Sequence, residues 1–272
     1  MTIDIHVISL ADSPRRASIR QILSCHGVDF SFEDAFDARG LDPAACAAMT
    51  DTAKVIGRYG RPLSRGEIGC FMSHVAVWGK IVRSGRAAIV LEDDAMLDGM
   101  LFERFLSTPA EMLSAHADLV LLGRSKLPRD RATRTYLYEP LKRVRRIGGL
   151  RIGVPFKQWT SGSVGYWISI DGARKALEHA RGPVGALLDD WPWHRDNGGL
   201  RIAELRPYAV WEAFETMPSV IESGRAALSS QRHGALELLF KPLRVMRAVF
   251  RWLIVAALTV TASRGKLFAR HG

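Results

Sequence analysis

The sequence predicts an α/β fold in which a mostly parallel sheet is covered by helices. Two observations carry this: short apolar runs alternate with helix-like segments, and an acidic triplet sits at the carboxyl end of one such run. Residues 5–10 form an apolar run stopped by Ala11, Asp12, Ser13 and Pro14, the signature of a buried strand ending in a turn. Residues 15–26 follow as a helix with Gly27 as its stop, and residues 28–36 supply a second strand. Strand, helix, strand in that order leads to parallel pairing.

Ser64 and Glu67 stand three apart before GCFMSHVAVWGKIV, which matches a capping box opening a helix that ends near Gly85. Residues 87–91 read as a short buried strand, with Glu92, Asp93 and Asp94 directly at its end. In open α/β sheets that edge is where ligands bind. Residues 117–122 and 163–170 read as further strands, and residues 171–180 as a helix capped by Asp171. Between them residues 124–157, rich in Arg and Lys with Pro128, Pro140, Gly148 and Gly149, read as a long loop. Residues 188–199 read as an acidic, tryptophan-containing loop.

A chain of 272 residues is long enough for one catalytic domain with a short appendage. The expected division is 1–224 for the domain and 225–272 for a basic tail. The formal charge of +10 is concentrated in residues 124–157 and from Arg225 onward. No nucleic-acid motif accompanies it, and the aromatics are not arranged with the basic residues as a stacking platform. Three cysteines at wide spacing provide neither a disulfide framework nor a zinc pattern. The opening MTIDIHVISL carries acid where a signal peptide carries base, so the expected location of the catalytic part is cytoplasmic.

In LEDDA, residues 91–95, the carboxylates of Glu92 and Asp94 are spaced to converge while Asp93 can point elsewhere. Hard oxygen donors of this kind suit Mn²⁺ or Mg²⁺, which complete their shells with substrate phosphates. The same triplet also serves as a helix cap or a solvated turn in many proteins.

Taken with VISLADSPRR, LSRGEIGCFMSHVAVWGKIV, GSVGYWISIDGARKAL, LLDDWP and PSVIES, this motif order resembles glycosyltransferase family 25, the lipooligosaccharide galactosyltransferase-like group, across most of residues 3–222. The resemblance implies a GT-A-like nucleotide-binding domain, a divalent metal and a UDP-sugar donor. Carried over by residue, it places Ser13, Arg15, Glu67, Ser73, His74 and Asp93 at the donor, and Glu92 and Asp94 at the metal. An arginine after the first strand pairs with phosphate or stacks on a base, although a solvated helix start accounts for it equally. His74 beside an apolar helix face is also what a packed core histidine looks like. Cys70 reads as a small packed residue.

Inverting transfer needs a base for the acceptor hydroxyl, and Asp189 or Asp190 can be that base, with a solvated loop or a second metal contact as the alternative. Trp191 and Trp193 either stack on sugar or anchor the loop. The function expected is hexosyl transfer, galactose by resemblance, from a UDP-sugar to a lipooligosaccharide, lipopolysaccharide or related glycan.

From Leu236 onward bulky apolar residues interleave with Lys241, Arg244, Arg247 and Arg251, the pattern of a basic amphipathic helix on an anionic membrane surface. The apolar run of residues 252–262 would span only about 16 Å as a helix, against about 30 Å of hydrocarbon. The expected placement is peripheral, on the cytoplasmic face of the inner membrane, facing a lipid-linked or oligosaccharide acceptor. A helix packed on the domain is the alternative. Two other functions fit parts of the sequence: a metal-dependent nucleotidyltransferase or phosphohydrolase, and a noncatalytic membrane-binding protein.

Overall fold

The computed structural model describes residues 3–156, 162–213 and 241–268. The PSVIES motif, the 224/225 boundary and the start of the tail lie outside the described residues.

The chain runs β1 (Asp4–Ser9), α1 (Arg15–Cys25), β2 (Ser31–Asp34), α2 (Pro43–Met49), α3 (Thr52–Tyr59), α4 (Arg65–Ser84), β3 (Ala88–Glu92), β4 (Ala95–Leu97), a π-helical turn (Leu101–Phe105), α5 (Ala110–Ser114) and β5 (Leu119–Leu121). It continues through α6 (Arg129–Tyr138), β6 (Leu141–Ile147), β7 (Leu150–Pro155), β8 (Gly165–Ile168), α7 (Ile170–His179), α8 (Trp191–Gly198), β9 (Ile202–Arg206), β10 (Val210–Glu212) and α9 (Lys241–Phe268).

Eight strands form one sheet in the order β2-β1-β3-β8-β5-β9-β7-β6, and β10 pairs with β4 in a small second sheet. The large sheet is mixed. β1 is parallel to β2 and β3, and β5 to β9; β8 and β7 run against their neighbours, and the remaining strands share one direction.

Side chains alternate across this sheet, as a period of two requires. Val7, Ile89, Leu91, Val120 and Trp167 enter one core with Ile19 and Leu23 of α1. Ile8, Ala88, Val90, Leu121 and Tyr166 enter the other with Ile68, Phe71, Trp78 and Ile81 of α4. Both faces are therefore covered, and an open edge remains where β1, β2 and β3 end.

The capping box forms as the sequence predicts: Glu67 N donates to Ser64 Oγ at 3.3 Å, and Ser64 N donates to Glu67 Oε2 at 2.8 Å. Gly85 ends α4 in the left-handed conformation.

Three expectations are corrected. Residues 124–156 are not a loop but α6 and the β6–β7 hairpin, whose turn is Gly148-Gly149 with φ of +56° and +80°. The α7 cap is Ser169, whose side chain accepts from Gly172 N, while Asp171 lies inside the helix and pairs with Arg174. Residues 191–198 form α8 rather than a loop, with Asp190 as its cap.

α9 docks along α6 and β6. Arg251 Nη1 donates to Tyr138 O at 3.0 Å and Trp252 Nε1 to Leu137 O at 2.9 Å. Among the described residues no helix is long and apolar enough to cross a membrane.

Candidate active site

A cleft of about 530 Å³ opens at the carboxyl ends of β1, β2 and β3, lined by residues of the β1–α1 turn, the segment after β2, one face of α4, and Glu92, Asp93 and Asp94. Gly69 lets α4 approach the segment after β2: a Cβ there would stand 2.8 Å from Phe36 O. Ser73, one turn on, accepts from Phe36 N at 2.9 Å and donates to Gly69 O at 2.6 Å. It is buried and holds the cleft wall together.

The three carboxylates of the acidic triplet take different partners, except that Arg15 reaches both Asp93 and Asp94. Asp93 Oδ2 accepts from both Ser9 Oγ and Ser13 Oγ at 2.6 Å, which fixes that carboxylate against the β1–α1 turn. Arg15 Nη1 lies 3.2 Å from Asp94 Oδ2 and 3.5 Å from Asp93 Oδ1. Asp94 is buried, and its Oδ1 has no hydrogen-bond partner among the described residues. Glu92 accepts a short hydrogen bond from Ser163. Burial, then the charges of Glu92 and Glu212, push the Asp94 carboxyl up, against a smaller pull from Arg15. Burial also pushes Glu92 up, with Ser163 pulling back and Glu212 adding to the rise. Glu212 reaches this cluster through β10, whose register sets it opposite Ala95.

Carboxylates crowded in a low-dielectric site with one neighbouring guanidinium favour a further cation. The orphaned Asp94 oxygen and the all-oxygen donors Glu92 and Asp94 fit a hard divalent ion. A second grouping shares Glu92: it, Cys70 and His74 bring one donor atom each within 4.8 Å of one another. This set is softer. Burial first, then the charges of Glu92 and Asp189, push the Cys70 thiol well above its ordinary value, so it stays protonated without a metal.

His74 is fully enclosed, and burial pulls it down to about 3, so it is neutral. Trp78 Nε1 donates to Tyr166 Oη at 2.9 Å, and Tyr166 Oη is 2.7 Å from His74 Nδ1. If the Tyr166 proton makes that second bond, the imidazole proton sits on Nε2, 3.8 Å from Glu92 Oε1.

The two aspartates after Leu188 separate. Asp190 is buried, accepts from Arg58 Nη2 at 2.9 Å, Tyr59 Oη at 2.7 Å and Trp193 N at 3.2 Å, and also pairs with Arg58 Nε. Burial raises its carboxyl, but Arg58 and Tyr59 outweigh that and hold it below the usual range. Asp189 is half-buried, accepts from Gly162 N at 3.2 Å, and acts electrostatically on Cys70 beside the cleft.

Glu67 lies outside the cleft lining. Its carboxylate is taken by the Ser64 cap and by Arg61 at 2.7 Å. Trp191 is buried in the core and Trp193 packs on His179, so the anchoring alternative accounts for both. Arg39 and Arg65, which the sequence reading did not single out, line the cleft with Arg15. Ser9, Ser163 and Glu212 were missed as well.

A family model described as glycosyltransferase family 25 (LPS biosynthesis protein) matches residues 2–188, which include the β1–α1 turn, the α4 wall and the acidic triplet. The chain belongs to glycosyltransferase family 25.

Among the relatives of this family member, procollagen galactosyltransferase 1-B of Xenopus laevis is 33% identical over 183 residues, covering 64% of this chain and 27% of that protein. Procollagen galactosyltransferase 2 of Homo sapiens is 27% identical over 182 residues, covering 64% and 26%. Inactive glycosyltransferase 25 family member 3 of Homo sapiens is 31% identical over 186 residues, covering 64% and 28%. The chain thus spans about a quarter of the length of the curated relatives it matches. Among solved structures, the UTP-bound UGPase from acinetobacter baumannii aligns over 85% of this chain and 100% of that chain, with 10% identity and a TM-score of 0.40, too distant to carry an argument.

Proposed function

We propose that this family 25 member transfers a hexose, galactose by analogy with the names of its relatives, from a UDP-sugar to a hydroxyl of a lipooligosaccharide, lipopolysaccharide or related glycan, with inversion. The observation that carries the reading is the placement of Glu92 and Asp94 at the strand ends, with a buried Asp94 oxygen that has no partner among the described residues, beside Arg15.

In this reading Glu92 and Asp94 hold Mn²⁺ or Mg²⁺, which when bound supplies Lewis-acid charge to offset the departing diphosphate. Arg15, Arg39 and Arg65 line the path of the donor phosphates, where a guanidinium meets two oxygens at once. Asp93, oriented by Ser9 and Ser13, offers acceptor oxygens to donor hydroxyls, and neutral His74 offers an Nε2 proton. Ser73 and Glu67 act through the α4 wall, Glu67 by anchoring its first turn. Asp189 takes the proton of the acceptor hydroxyl as that oxygen attacks the anomeric carbon and the bond to diphosphate breaks. Asp190 positions α8.

The acceptor is proposed to be lipid-linked and met at an anionic membrane surface on the cytoplasmic face of the inner membrane. The exposed apolar residues of α9, with arginines on an adjoining face, support that placement.

The test is thermal denaturation of the native protein and of Asp94→Ala with UDP, with and without Mn²⁺, because a ligand bound to the folded state stabilises it. Metal-dependent stabilisation by UDP, lost in Asp94→Ala, is the expected result. The absence of any shift with UDP would overturn the donor assignment. Release of UDP from UDP-galactose without any glycan acceptor would favour a hydrolase.

A further inference from the structure

A second cleft of about 400 Å³ opens between α6 and α9. Arg131 and Arg134 face it from α6, and Arg244, Arg247 and Arg251 from α9. Among the described residues its one acidic lining residue, Glu139, is already 3.2 Å from Arg124, which is not part of the lining. The crowding is felt within the cluster: burial and then the Arg247 charge pull the Arg251 guanidinium down. Like charges gathered this closely call for an anion, and forked guanidiniums match phosphate.

The remaining faces of α9 say what kind of anion. Ala248, Arg251 and Val255 follow the i, i+3, i+7 spacing of one helix face, and Ala248 is buried against the domain. Met246, Phe250 and Leu253 occupy the opposite face and are 66%, 64% and 63% exposed. Arg244 and Arg251 lie toward the buried face, and Arg247 lies between the two faces, three residues before Phe250. An anion in the cleft therefore sits beside a continuous apolar stripe, the arrangement that an amphiphile satisfies at both ends. A nucleic-acid phosphate would leave the stripe uncovered.

We infer that the arginine cleft between α6 and α9 binds the phosphate headgroup of an anionic lipid while the outer stripe of α9 lies in the same leaflet. The inference rests on the membrane-surface placement proposed above. It adds a headgroup site built by two elements of the fold, in place of diffuse attraction by a basic tail.

The experiment measures binding of the full chain to phosphatidylcholine vesicles doped with phosphatidylglycerol. Arg134→Lys with Arg247→Lys keeps the charge and removes the forks, and is expected to weaken binding about tenfold. Arg83→Gln with Arg104→Gln, two exposed arginines outside the cleft, removes charge and is expected to change binding by less than about threefold. Phe250→Ser with Leu253→Ser tests the membrane placement itself and is expected to weaken binding severely. Unchanged melting and an unchanged UDP shift verify that each variant is folded.

A lysine pair that binds as the native protein does would overturn the headgroup site, and the membrane placement would survive if the serine pair still lost binding. Native protein that ignores the vesicles would overturn both. Competition by soluble glycerol phosphate as effective as that by vesicles would reassign the cleft to a free phosphate, and equal competition by duplex DNA would reassign it to nucleic acid.

Discussion

Arg15 stands 3.2 Å from one oxygen of Asp94, while the other oxygen of that carboxylate is buried without a partner among the described residues. The guanidinium offsets only part of the charge that Glu92, Asp93 and Glu212 build around Asp94. A site so arranged is under electrostatic stress until a cation enters it. Asp94→Asn should therefore melt no lower than the native protein at pH 8 without metal, because it removes a crowded charge along with the Arg15 pair. In Mn²⁺ and UDP the order should reverse, with the native protein gaining stability and the variant gaining none. Paired melting curves check this.

The same carboxylates set a pH dependence. Glu92 and Asp94 are both raised above their unfolded values, so above about pH 4 these two carboxyls bind more protons in the folded metal-free protein than in the unfolded chain. Their contribution to stability is then lost as pH rises through neutrality. A metal needs the ionised forms, so stabilisation by Mn²⁺ should grow over the same range. Above about pH 7, where the buried neutral His74 and His194 no longer act in the opposite sense, melting temperature against pH should slope downward without metal, and the slope should flatten with it. A metal effect that shrinks as pH rises would contradict this assignment.

Asp118 gives the opposite sign at the other end of the sheet. It is 1% exposed, and burial would raise it, but Arg201 and Lys175 together hold it below its ordinary value. Arg201 Nη2 and Lys175 Nζ each lie 2.7 Å from it. This contribution is present above the unfolded carboxylate value near about pH 4 and is lost as pH falls through the lower folded value. Asp118→Asn should flatten the acid limb of the stability profile and cost about 2 kcal/mol at neutral pH. Urea denaturation across pH checks both.

Asp189 and Asp190 were indistinguishable as neighbours in sequence, and the structure separates them through Arg58 and Tyr59, which lie far away in the chain. Asp190→Asn should lower stability by about 2 kcal/mol through the cap and the paired arginine, a figure already reduced because Arg58 is 40% exposed. Asp189→Asn should leave melting unchanged and reduce kcat by about 10²-fold or more, the usual scale for a lost general base. Loss of kcat in the first and not in the second would exchange their roles.

What was legible in the sequence was local. The Ser64/Glu67 box, the strand ending at Glu92 and the turn at Ser13 and Pro14 each depend on residues within one or two turns of chain. The β6–β7 hairpin was hidden because Arg and Lys on its outward face masked the buried alternation of Leu141, Ile147, Leu150 and Ile152. Its Gly148-Gly149 turn, with both residues at positive φ, was the signal that could have revealed it. Glu212 could not be found this way, since only the pairing of β10 with β4 brings it to the acidic cluster.

Cys70 decides which metal chemistry the cleft supports. Its sulfur, a His74 ring nitrogen and a Glu92 oxygen lie within 4.8 Å of one another, a donor set suited to zinc, whereas Glu92 with Asp94 offers oxygen alone. The two sets share Glu92, so ions at the two positions compete for one carboxylate. The thiol resists ionisation because it is buried among acids, and His74, although neutral, holds Tyr166 through its other nitrogen. Cys70→Ala should therefore keep the stabilisation by Mn²⁺ and UDP, while any Zn²⁺ affinity falls about 10-fold or more with loss of the thiolate donor. Calorimetric titration with each ion separates the two sets. If Mn²⁺ binding fell with Zn²⁺ binding, the metal position would move from Asp94 to the α4 wall, and Asp94 would keep Arg15 as its charged partner.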